Sequence, residues 1–94
     1  MNLKNRLGVF NMNNNLLKFI NSKIIRLVTK ITTVRAQLYV LDDALYNKDF
    51  IVNLSPDAQL GLKIIFNSKQ NELKYLNNQY YNLNKIRLHV LDLI

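Results

Sequence analysis

The chain has no cysteine and no tryptophan, two glycines, one proline and one histidine. Without cysteine there is no disulfide and no thiolate metal site. A lone histidine excludes a histidine-rich metal centre, and two glycines leave nothing for a glycine-rich phosphate loop. No apolar run is long enough to cross a bilayer, and the N-terminus lacks the apolar stretch of a secretory signal. The sequence therefore reads as a soluble chain inside a cell, a virion or an organelle, not as a secreted or transmembrane one. The first twelve residues, basic and acid-free, also fit a targeting peptide.

Acidic residues are also scarce, and their absence is local. Residues 1–41 hold seven Lys or Arg and no Asp or Glu, while residues 42–94 hold six of each sign. The net charge of +7 thus lies entirely on the first part of the chain. Such asymmetry points to an anionic partner and says nothing about fold. Fifteen asparagines, with many Lys, Ile and Tyr, suggest an AT-rich coding sequence such as viruses and organelles carry.

What the sequence does have is a seam. Leu17, Ile20, Ile24, Leu27, Ile31, Val34, Leu38, Leu41 and Leu45 alternate spacings of three and four. That heptad pattern keeps one narrow helix face turned toward a partner helix. Asn13 or Asn14 is expected to cap the helix, which then runs over 13–46. Its β-branched residues between Ile24 and Val34 lower its intrinsic helicity, so packing must hold it.

Residues 1–12 are expected as an N-terminal arm, short and helical or irregular. Residues 47–55 connect the helices; Phe50, Ile51, Val52 and Leu54 would plug the end of the helix pair or form a short edge strand. Ser55, Pro56 and Asp57 then announce a second helix over 56–94: a capping hydroxyl, a proline at the first helical position, a carboxylate at the positive end of the dipole. Leu62, Phe66, Leu73, Leu76, Tyr80, Leu83, Val90 and Ile94 continue the three/four spacing, interrupted by Lys69 and Arg87. Alternation over residues 86–90 leaves a terminal strand as the rival reading. The predicted fold is all-α: one helical domain of two long antiparallel helices, a coiled-coil-like hairpin that completes a bundle by association. Pairing across the hairpin would set Lys30 near Glu72.

A hairpin covers one face of each helix. Ile25, Val28, Tyr39 and Tyr46 on the first helix, and Ile64 and Tyr75 on the second, lie off the seams and form a candidate association surface. Either the N-terminal arm covers them, or a second copy or a larger assembly does.

Candidate chemistry is thin. Lys23, Arg26 and Lys30 share a stripe away from the seam, with Lys18 and Arg35 flanking it. A stripe of this kind suits phosphate contacts, and equally suits a solvated face. Tyr75, Tyr80 and Tyr81 lie close to Lys74, Lys85 and Arg87, an arrangement that can stack bases but more often makes a core or an interface. His89 and Asp92 lack a nucleophile nearby in sequence, and the six acids show neither paired-carboxylate nor metal-loop spacing. No catalytic, cofactor or metal residues are assigned, and no small-molecule substrate is expected. The reading is a non-enzymatic assembly subunit working through its helix faces, in a viral or organellar complex. The alternative is a basic nucleic-acid-binding module, and an anionic membrane surface comes third.

Overall fold

The structure, a computed structural model, describes the backbone of residues 3–93 and the side chains of residues 12–93. Three helices account for almost all of it: α1 (Leu3–Tyr46), α2 (Lys48–Val52) and α3 (Pro56–Leu93). No strand occurs among the described residues. The alternation over residues 86–90 does not make one, because α3 continues through it to Leu93.

The chain packs as two compact units. Unit 1 comprises Met1–Val28 and Asn78–Ile94, and unit 2 comprises Thr29–Asn77. Each contains one part of α1 and one part of α3. In unit 1 the early part of α1 meets the late part of α3, and in unit 2 the late part of α1 meets the early part of α3, which makes the pair antiparallel.

In both units the seam is the core. In unit 1, Ile20, Leu27 and Val90 are buried, with Leu17, Ile24 and Leu83 half-buried. In unit 2, Ile31, Val34 and Leu76 are buried, with Leu38, Leu41, Leu45, Leu62, Phe66 and Leu73 half-buried. All nine positions of the first seam face inward. The β-branched Ile31 and Val34, which cost helicity, are among the most enclosed residues of the chain (6% and 3% exposed). Packing holds this part of α1 against its own propensity. Tyr80 is the exception on α3: it occupies a seam position but remains 37% exposed, consistent with a tyrosine that keeps its hydroxyl in water. Ile94 lies outside the described residues.

The expectations for the N-terminal segment are corrected. Residues 3–12 are not a separate arm; they are the opening turns of α1. Asn13 and Asn14 therefore do not cap a helix, and Asn13, four residues before Leu17, is a seam position only 7% exposed. The interruptions at Gly8 and at the asparagine run cost at most about 1 kcal/mol each, and an established helix gains a hydrogen bond for every residue it adds. An N-terminal segment that continues α1 is not folded back to cover the flanks of that helix.

The connection holds a helix, not a strand. Asn47 caps α2, its Oδ1 accepting from the Phe50 amide at 3.1 Å, with Asp49 in the first turn. Ile51 and Leu54 turn inward, but Phe50 and Val52 are 46% and 77% exposed and plug nothing. The corner is closed by a polar group instead. Gln59 Nε2 donates to the carbonyls of Ile51 (2.9 Å) and Leu54 (3.1 Å). Ser55 caps α3 as expected, its Oγ accepting from the Ala58 amide at 3.2 Å.

Glu72 does not pair with Lys30. It pairs with Lys69, one turn before it on α3, at 3.2 Å. The neighbour three residues away is always within reach on a helix surface, whereas Lys30 must reach across from another helix. An exposed pair of this kind contributes under about 1 kcal/mol.

Gly61 sits inside α3 with nothing within 4 Å of where a Cβ would stand. Gly61→Ala is therefore expected to stabilise the fold by roughly 0.5–1 kcal/mol, by removing backbone freedom from the unfolded chain. The change should appear as a higher urea midpoint at unaltered slope.

Candidate binding surfaces

The division into units redistributes the charge. Unit 1 holds seven basic residues and a single acid, Asp92, a net of +6. Unit 2 holds six basic residues and five acids, a net of +1. The chain thus has one strongly electropositive unit and one that is almost neutral.

The candidate cations divide accordingly. Lys18, Lys23 and Arg26 lie in unit 1, and together with Phe19 and Ser22 they line an open concavity of about 310 Å³. Lys30 and Arg35 belong to unit 2 and do not line it. The Lys23 ammonium lies 5.3 Å from the centre of the Phe19 ring, within range of a cation–π contact. Phe19 is nevertheless 59% exposed. Among the described residues, none of these three cations has a carboxylate partner. The sequence reading passed over Phe19 and Ser22. The signal was present: residues 18, 19, 22, 23 and 26 share one face of a helix, but only the charged members stand out in a charge count.

In the tyrosine group, Tyr75, Tyr80 and Tyr81 are all exposed on α3, and the Lys85 ammonium lies 4.7 Å from the Tyr81 ring centre. Arg87 occupies the seam between Leu83 and Val90, half-buried, and its buried Nε has no hydrogen-bond partner among the described residues. His89 and Asp92 are both exposed.

The six residues of the candidate association surface are exposed: Ile25, Val28, Tyr39, Tyr46, Ile64 and Tyr75. Ile25 and Val28 lie in unit 1 and the other four in unit 2. Unit 2 also has two grooves, each of about 460 Å³. One is bordered by Ala36, Gln37, Val40, Leu41, Ile65 and Lys69, and its walls are mainly apolar. The other is bordered by Leu45, Tyr46 and Phe66 but also by Asp42, Lys63 and Gln70. Val40 and Ile65 (66% and 48% exposed) were not singled out in the sequence. Each immediately precedes a seam residue, Leu41 or Phe66, and such positions flank the seam of a helix pair.

No described helix is long and apolar enough to cross a membrane. Comparison with protein-family models, with curated proteins and with solved structures finds no match.

Proposed function

We propose that this chain is a non-enzymatic assembly subunit that acts through its helix faces and meets a second copy of itself along unit 2. The observation that carries the reading is the imbalance of apolar surface. Among the described residues six apolar side chains are buried, twenty large ones are exposed, and no large side chain is completely enclosed.

Charge selects the unit. Bringing two copies of unit 1 together opposes +6 with +6, whereas unit 2 meets its copy at +1 each. Within unit 2 the groove walled by Ala36, Val40, Leu41 and Ile65 is the more apolar. A helix of the second copy seated there would complete a four-helix arrangement of the coiled-coil type. The sparse and scattered acid–base groups fit a subunit without chemistry of its own. The asparagine-rich composition suits a viral or organellar complex.

Thermal unfolding tests this reading. An associating protein is stabilised by mass action, so the midpoint rises with concentration. A tenfold increase in protein should add about 1.4 kcal/mol per dimer, a shift of a few degrees. A midpoint that does not move over two decades of concentration would contradict self-association.

A further inference from the structure

We propose that the outward face of α1 in unit 1 is a binding site for single-stranded nucleic acid, with phosphates held by Lys18, Lys23 and Arg26 and a base stacked on Phe19. The site is independent of the association through unit 2. Three observations meet here. The unit carries +6 with one acid, so its field attracts a polyanion wherever on its surface the polyanion first arrives. Three of its cations lack carboxylate partners among the described residues and line one concavity. Within that concavity stands an aromatic ring that is 59% exposed, with the Lys23 ammonium over it at 5.3 Å.

An exposed phenylalanine ringed by cations is a costly solvated surface and a good stacking platform. Every base presents a π-face, and stacking on an aromatic side chain tolerates any sequence. The lysine over the ring is a point charge on a flexible stem. It can leave the ring for a phosphate as a base takes its place, so ring and ammonium both keep a partner. Ser22, one turn from Lys18 and Arg26, adds a hydroxyl that can donate to a phosphate oxygen.

A single strand fits better than a duplex, whose bases are already stacked inside and leave Phe19 no face to cover. It also fits better than a lipid surface. An interfacial helix needs an apolar face of its own to sink into the headgroups. The four residues that share the concavity with Phe19 are polar or charged.

The test uses the full chain and fluorescence anisotropy with a labelled short oligothymidylate, a duplex of equal length, and vesicles containing anionic lipid. The single strand should bind more tightly than the duplex at low salt. The log–log salt dependence should include about −2 from three phosphate contacts. Phe19→Leu should weaken single-strand binding by about 5- to 150-fold and leave the salt slope unchanged. Replacing Lys18, Lys23 and Arg26 together by Gln should flatten the slope by about 2. Glutamine matches their helix propensity and none of the three lies in the seam, so an unchanged far-ultraviolet circular dichroism spectrum should accompany the loss. Equal affinity for duplex and single strand, a Phe19→Leu variant that binds like the wild type, or vesicle binding without oligonucleotide binding would each overturn the proposal. A constant molar mass across these variants separates their effect from self-association.

Discussion

Ile31→Ala is expected to destabilise the fold by about 2–5 kcal/mol, the combined loss of transfer energy and the cavity left behind. Ile31 is 6% exposed and sits mid-seam in unit 2, with buried Leu27 and Val34 one turn to either side on α1. A chain of 94 residues has a total stability of roughly 5–14 kcal/mol, so the loss removes a large share of it. The neighbouring Lys30 is exposed, and Lys30→Ala should change stability by no more than about 0.5 kcal/mol. Urea unfolding of the two variants at one protein concentration decides the matter. A low midpoint for Ile31→Ala beside a near-native one for Lys30→Ala fixes the rotation of α1. Equal losses would mean the helix presents another face to its partner.

The second large effect concerns the groove of unit 2. Val40→Glu combined with Ile65→Glu should weaken self-association by at least about 3 kcal/mol per dimer, more than a hundredfold in Kd. Both side chains are largely exposed in the single chain, and glutamate is a good helix former, so the variant should remain folded and helical. Only in an assembly does the substitution bury carboxylates without partners. Ile25→Glu in unit 1 is the matched control, an exposed apolar residue on the same helix but outside the groove. Sedimentation velocity should show dissociation for the first variant and none for the control. Dissociation by Ile25→Glu alone would move the interface to unit 1. Association unaffected by either variant would leave the groove without a role.

Much of this architecture was legible in the sequence because the heptad period is a direct record of packing. The nine seam positions of α1 needed no tertiary information: a spacing of three and four can serve only a lengthwise helix contact. Ser55, Pro56 and Asp57 were equally legible, since each answers a local need of a helix start. The start of α1 was not. Gly8 and the asparagines resemble an ending, but a penalty of at most about 1 kcal/mol each does not halt a helix that is already propagating. The α2 turn was hidden by its apolar content, which suggested a plug or a strand, although Asn47 followed by Asp49 is a capping signal. Gln59 gave no sign that its amide closes the corner, because those acceptors are backbone carbonyls and appear in no residue pattern. Lys69 and Arg87 looked like interruptions of the second seam; both are half-buried at seam positions.

The surfaces were less legible than the core. A count of charges along the chain placed the excess in the first 41 residues, but the fold brings residues 78–94 into the same unit as the N-terminal part of α1. That grouping assigns Lys30 and Arg35 to unit 2 and gives unit 1 a net charge of +6. Phe19 went unmarked because one exposed aromatic has no periodicity. Val40 and Ile65 went unmarked because a groove wall is defined by two helices together, not by either alone.

The central claim is that the apolar surface left open by the helix pair is closed by a second copy of the chain. Sedimentation equilibrium on the unmodified protein measures this without a label or a variant. The expected result is a molar mass of at least twice 11.1 kDa, retained at high salt because an apolar interface is not weakened by screening. A stable mass of 11.1 kDa at high protein concentration, with no tendency to associate, would contradict it.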